Sequence, residues 1–321
     1  MQSPADPGTV AEMLARMRTM TGRNRSPLVA VVVGFAVGLA GIACGPPGQG
    51  GSSPCAQRVP PARYQHVVWI WMENHSYSEV IGSQLAPYQT RLVTQCAAAT
   101  AEATVGSPSL PNYIGGTAGQ TAGVADDADP SAHPITANNV FRQVRTANGT
   151  ARSYEESMPT NCALSGSGQY AVRHNPAAYF SSTADRAACK RDDVPMGSTT
   201  SGAFTHALST DSLPTFAFVT PNVCNDTHDC GVDVGDRWLA KWVPMITASA
   251  AYARGDTAIV ITYDEPTPVP NVWIAPSVKP GARVTIPTNH YAALRTVEEV
   301  LGLPLVAGAA NAASYRTPFH L

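Results

Sequence analysis

Four short stretches of the chain bring together residue types that do chemistry. They are Glu73-Asn74-His75, the turn Gly106-Ser107-Pro108-Ser109-Leu110-Pro111-Asn112-Tyr113, the Asp226-Thr227-His228 run between Cys224 and Cys230, and Asp264-Glu265. His290 stands alone further on. Carboxylates gathered from distant parts of a chain repel one another unless a cation neutralises them, and hard oxygen donors suit a divalent ion. Adding His228 and His290 to Glu73, Asp264 and Glu265 moves the expected metal from a hard ion such as calcium toward zinc, manganese or iron, and leaves its identity among these four open. Ser109 is held between prolines where a helix is expected to begin. Free backbone N–H groups at such an end stabilise an alkoxide and also favour phosphate. A metal on the hydroxyl supplies the activation that a serine protease takes from histidine. Two rival serine chemistries lack their residues. No Gly-x-Ser-x-Gly elbow is present, and Tyr113 stands where a sulfatase motif wants arginine.

Elements that could place these groups together recur along the chain. His66–Met72 is a continuous β-branched and aromatic run, as expected of a strand buried on both faces. Similar runs occur at 215–220, 257–263 and 272–275, with weaker candidates at 97–101 and 151–154. Helical patterns alternate with them, near 87–93, 112–117, 139–146, 236–253 and 291–301. Alternating strands and helices predict an α/β fold, a three-layer α/β/α sandwich around a mostly parallel sheet. Ligands of such sheets sit beyond the carboxyl ends of the strands, where these acidic, amide and imidazole groups fall. Residues 125–134 and 165–193 read as polar insertions that wall a pocket.

Composition narrows the function. The 321 residues include 21 basic and 23 acidic ones, and outside residues 1–44 the counts are 17 and 21. So few cations leave no electrostatic footprint for nucleic acid. Residues 1–44 carry Arg16, Arg18, Arg23 and Arg25 before an uncharged apolar run ending at Cys44. This pattern predicts a signal peptide or membrane anchor, with Cys44 as a lipidation candidate. The expected location is therefore outside the cytoplasm, secreted or attached to the outer face of the cytoplasmic membrane, with membrane contact only through this segment. Residues 45–63 are Gly-, Ser- and Pro-rich and read as a linker, which leaves 64–321 as the catalytic domain. Setting Cys44 aside leaves six cysteines, an even number suited to an oxidising compartment. Expected pairs are Cys224–Cys230, Cys162–Cys189 and Cys55–Cys96.

Taken in order, Met72-Glu73-Asn74-His75-Ser76-Tyr77, Pro108-Ser109-Leu110-Pro111-Asn112-Tyr113, Arg173-His174-Asn175-Pro176, Cys224–Cys230 and Asp264-Glu265 resemble the bacterial phosphoesterase family. That family joins acid phosphatases with non-zinc phospholipases C inside the alkaline-phosphatase-like superfamily. The resemblance implies metal-assisted hydrolysis of a phosphate ester, with Ser109 as the nucleophile that forms a phosphoserine. It implies metal or phosphate contacts for Glu73 and Asn74 and metal ligation by Asp264 and Glu265. Asp226, His228 and His290 would hold a second ion or protonate the leaving group. His174 and Asn175 would form a substrate-side pair, and Asn112 would touch a phosphate oxygen. The chain departs from the family pattern at Ser107, where histidine is frequent, and in the proline-rich stretch 266–270. The partner expected is a small phosphate ester or a phospholipid headgroup. Monoester hydrolysis is favoured over phospholipase C-type diester cleavage, and a binding protein that has lost the chemistry is the alternative from another class.

Overall fold

A computed structural model describes residues 53–321. The segment expected to be a signal or anchor lies outside the described residues. Among those described, no helix is long and apolar enough to cross a membrane.

Nine strands form one sheet: β1 (His66–Met72), β2 (Ala97–Ala103), β3 (Ala151–Glu155), β4 (Asp193–Pro195), β5 (Phe216–Thr220), β6 (Thr257–Tyr263), β7 (Val269–Ile274), β8 (Arg283–Val284) and β9 (Thr288–Asn289). Their order is β4-β3-β5-β1-β6-β7-β2-β8, with β9 also on β2. All pairings are parallel except those of β7, which runs against both β6 and β2. The large parallel sheet is the one expected. The short strands β4, β8 and β9 are too brief to leave a hydrophobic pattern.

The two faces of β1 show why the sheet is covered on both sides. Its residues from Val67 to Met72 are fully buried. Trp71 points to one face and packs on Tyr113 at a centroid distance of 4.7 Å. Tyr113 belongs to the helix Ser109–Ala118, in which Gly116 lies so close that a Cβ would meet the Trp71 ring at 2.5 Å. Met72 points the other way, towards Gly235 of the helix Val232–Thr247. Each large apolar side chain so buried contributes roughly 1.5–3 kcal/mol, so the central strand anchors both helical layers. The single helix expected over 236–253 is instead two, Val232–Thr247 and Ala250–Ala253. Ser249 separates them by accepting a hydrogen bond from the N–H of Tyr252, the N-cap of the second.

All three expected disulfides are present, Cys55–Cys96, Cys162–Cys189 and Cys224–Cys230. The first bears on the expected linker at 45–63. Cys55 is buried, and the N–H groups of Ala56 and Arg58 both donate to the carbonyl of Pro276. Residues 53–63 are thus docked on the catalytic body, because the disulfide and these backbone bonds hold a stretch whose composition alone reads as flexible.

Candidate active site

Register assembles the site. β1, β5 and β6 run parallel, with Met72 beside Tyr263 and Ile70 beside Val219, so their carboxyl ends share one edge. The residues that follow are therefore neighbours, and the N–H of Asp264 donates to the carbonyl of Met72. Asn74 takes a positive φ of 61°, a conformation that asparagine tolerates, and its N–H turns to Asp264 Oδ1 at 2.9 Å. β2 ends at the same edge and leads into the turn before Ser109.

Ser109 opens its helix and donates to Glu73 Oε2 at 3.1 Å. Tyr113, one turn later, donates to Glu73 Oε1 at 2.6 Å. Glu73 is fully buried, and burial, followed by the charges of Asp264 and Asp226, holds its carboxyl well above the usual range. Burial likewise raises Asp264, and raises Asp226 to about 8.

His174 completes the cluster. It stacks flat on Tyr113 at 5.3 Å. Its Nδ1 lies 3.1 Å from Asp226 Oδ2, while its Nε2 lies 3.3 Å from Glu73 Oε1 and has no hydrogen-bond partner. Burial first, then Arg173, lowers its pKa to about 3, so the ring is neutral. With the single proton on Nδ1 towards Asp226, the Nε2 lone pair faces a carboxylate oxygen. Two acceptors in contact away from water are unfavourable unless a proton or a cation lies between them. Asp264 Oδ2 is a second buried atom without a partner. Glu73, His174 and His228 offer one ligand atom each, all within 4.8 Å of one another. The residues present therefore fit a divalent cation, on the chemistry of the donors and on two orphaned buried atoms.

Asp226 acts as a brace, with Oδ1 taken by the N–H of His228 at 2.7 Å and Oδ2 by His174. Its two oxygens are committed, so it orients the imidazole as carboxylates do behind metal-binding histidines. The Cys224–Cys230 bridge closes the loop that carries it. His228 is partly exposed. Its Nδ1 lies 2.7 Å from Asp229, and Arg173 donates to its Nε2 at 3.0 Å.

Other expected site residues fall elsewhere. Asn112 is buried, and its Oδ1 accepts from the N–H groups of both Val105 and Gly106, so it shapes the turn and does not face a phosphate. Asn175 turns away from His174 and donates to Asp193 and to the hydroxyl of Tyr170. His290 is fully buried, donating from Nε2 to the carbonyl of Asp264 and lying 3.1 Å from Glu102 Oε1 through Nδ1. With both nitrogens occupied and no exposure, it has no route to a leaving group. The carboxylate of Glu265 is part-exposed and raises Asp264 through its charge, with no hydrogen bond of its own among the described residues. His174 lies inside the cluster rather than on its substrate side.

Glu102 and Tyr113 carry weight that their sequence context hides. Glu102 lies next to the end of an alanine-rich strand, one residue past the stretch read as strand, and Tyr113 reads as an apolar helix residue. The polar insertions form a wall as expected. An open cleft of about 390 Å³ beside the site is lined by Asp127, Asp129, Gly166–Gly168, Arg173 and Asp229 among others.

Residues 83–267 match the Phosphoesterase family. The chain is 30% identical over 257 residues to a phosphatidylinositol-3-phosphatase of Mycobacterium tuberculosis, covering 78% of this chain and 81% of the relative. It is 27% identical over 208 residues to a phosphate-repressible acid phosphatase of Penicillium chrysogenum, covering 63% of this chain but only 48% of that protein. Among solved structures, a protein of the alkaline phosphatase superfamily from Vibrio parahaemolyticus superposes with a TM-score of 0.54 at 12% identity, over 80% of this chain and 71% of that one. The lipoteichoic acid synthase LtaP from Listeria monocytogenes gives 0.56 at 9% identity, over 78% and 77%. These two show the fold. Joined to the serine–carboxylate–imidazole cluster, the sequence matches lead to one conclusion: the chain belongs to the Phosphoesterase family and is a hydrolase of phosphoric ester bonds.

Proposed function

We propose that the protein is an exported, metal-dependent phosphatase of phosphate monoesters that works through a phosphoserine at Ser109. The observation that supports this reading is the buried contact of the Ser109 hydroxyl with Glu73 Oε2 at 3.1 Å, next to the acceptor pair of Glu73 and His174. Glu73, Asp264 and His174 would hold the cation, with Asn74 setting the turn that aims Asp264. When bound, the cation supplies charge neutralisation among these carboxylates and a lower pKa for the neighbouring hydroxyl.

Glu73 accepts the hydrogen bond of Ser109 and so aims the hydroxyl oxygen at the phosphorus. Tyr113 fixes the other oxygen of Glu73. The Ser109 hydroxyl passes its proton to Glu73 Oε2, its hydrogen-bond acceptor. Its oxygen attacks phosphorus in line with the departing alcohol, which takes the electrons of the broken P–O bond, and Glu73 returns the proton when the serine oxygen is released. His228, the imidazole of the site that reaches solvent, provides the proton for that alcohol. Water then attacks the phosphoserine and returns the serine hydroxyl and inorganic phosphate. Arg173, beside His228, supplies a cation for the phosphate oxygens.

Monoesters are favoured because the relatives that match are named as phosphatases, one of them a phosphatidylinositol-3-phosphatase. The paired disulfides favour export into an oxidising compartment. The test compares p-nitrophenyl phosphate with phosphatidylcholine and traps the intermediate by acid quench with radiolabelled phosphate. Label on Ser109 and turnover of the monoester alone are expected. Cleavage of phosphatidylcholine to diacylglycerol, or no label under steady turnover, would overturn the reading.

A further inference from the structure

Asp127 already occupies groups that a substrate phosphate would use. It comes from the insertion 125–134, 17 residues beyond Leu110. Its Oδ1 accepts the N–H of Leu110 at 2.9 Å, and this is the residue after Ser109 in the first turn of the helix. Its other oxygen lies 3.8 Å from Arg173 Nε. Arg173 in turn donates to His228. An N–H of a helix's first turn and a guanidinium are the two kinds of donor that recognise a phosphate dianion. Here a carboxylate of the same chain spans both, a few ångströms from Ser109.

We infer that Asp127 is an internal competitor for the phosphate-binding groups of the Ser109 site, and that it keeps the affinity for inorganic phosphate, the product, low. The inference rests on the proposed function, since it takes the Ser109 site to bind phosphate. A dianion entering the site meets Asp127 at close range and must displace it from Arg173 and Leu110. The same displacement, reversed, helps phosphate leave once the phosphoserine is hydrolysed. A plain helix-capping role would use only the bond to Leu110, and an amide oxygen serves that bond equally well.

Asp127→Asn separates the two roles. The amide keeps an oxygen for the Leu110 N–H and loses the charge that opposes phosphate. Binding of inorganic phosphate to the full-length protein, followed by titration calorimetry, is the readout, with the competitive inhibition constant of phosphate as a second measure. The expected result is at least ~10-fold tighter phosphate binding for Asp127→Asn, at an unchanged melting temperature, since a full charge a few ångströms away is removed. Asp129→Asn is the control. It removes an acid that lines the same cleft and makes no hydrogen bond to Leu110 or Arg173, so its effect should stay within about 2-fold. Equal affinity in Asp127→Asn and the parent protein would overturn the inference while leaving the proposed function intact. An equal gain in Asp129→Asn would also overturn it, because general charge would then be the cause. Absence of phosphate binding in both the parent and Asp127→Asn would overturn the proposed function, and this inference with it.

Discussion

Two buried polar clusters lie side by side at the carboxyl edge of the sheet, joined through Asp264, and they differ in what they leave unsatisfied. In the first, Glu73, Asp264, Asp226 and His174 crowd around Ser109, with Nε2 of His174 against a carboxylate oxygen and Asp264 Oδ2 unpaired. In the second, Glu102 receives Asn271 Nδ2 at 3.1 Å and the hydroxyl of Tyr315 at 2.7 Å, and it lies 3.1 Å from His290. His290 spends its other nitrogen on the Asp264 carbonyl, and Trp273 donates to Asn271 at 2.6 Å. Both clusters are sealed from solvent except at the rim of the first. The second leaves none of its side-chain polar atoms without a partner, with a proton between His290 Nδ1 and Glu102 Oε1, and serves as scaffold, holding the backbone of Asp264 in place. The first is closed only when something else enters it. Residue types do not separate the two, since each has glutamate, histidine and tyrosine; pairing does.

The contrast can be broken by substitution. The largest effect is expected for Ser109→Ala, a loss of at least ~10³-fold in kcat for p-nitrophenyl phosphate with the melting temperature retained, because it removes the proposed nucleophile. Phosphatase activity near that of the parent would remove Ser109 as the nucleophile. Next comes His174→Ala, with an expected loss of about 10²-fold or more in kcat/KM and a loss of about 1–3 kcal/mol in stability, since Asp226 forfeits a donor and Tyr113 a stacking partner while Nε2 has none to lose.

The second cluster should respond in the opposite sense. Tyr315→Phe or His290→Ala leaves Glu102 short of a partner in a dry interior, at a cost of about 3 kcal/mol or more in unfolding free energy. Denaturant titration reads this directly, and at temperatures where the variant is folded its kcat should fall far less than that of Ser109→Ala. A stable but inactive His290→Ala protein would instead place that imidazole in the chemistry.

The smallest effect concerns a buried acid pair away from both clusters. Asp193 is pushed up to about 7 by burial, and Glu155 is raised by burial and by Asp193. The folded state thus binds more protons than the unfolded chain between about pH 4 and 7, so this pair lowers stability as pH rises through that window. Asp193→Asn should flatten the fall in unfolding free energy from pH 4 to 7. An unchanged slope would show that the pair does not titrate there.

Much of this arrangement was legible in the residues. Buried parallel strands are written as unbroken β-branched and aromatic runs, and β1 and β6 fall at the residues where those runs lie. Once these strands are parallel neighbours, Glu73 and Asp264 must meet, and the turn rich in proline marks Ser109. Pairing, by contrast, is a property of the folded interior. His290 has the type and position of a catalytic imidazole, and only its contacts with Glu102 and Asp264 show it to be scaffold. Glu102 is concealed in a run of alanines, where no amphipathic period marks it. Asn112 and Asn175 precede or follow reactive residues in sequence, yet their amides turn to backbone and to Asp193 because those groups need partners more than a substrate does. Arg173 and Asp127 meet only because two insertions fold over the same helix end.

The central claim is that the contact between Glu73 and His174 is a cation site beside Ser109. Its most direct test is elemental analysis of the purified protein and of Glu73→Gln, with p-nitrophenyl phosphate turnover measured before and after chelation. Bound divalent metal is expected in the parent, with its loss in Glu73→Gln and activity that chelation abolishes and metal restores. Full turnover by a protein free of metal would contradict it.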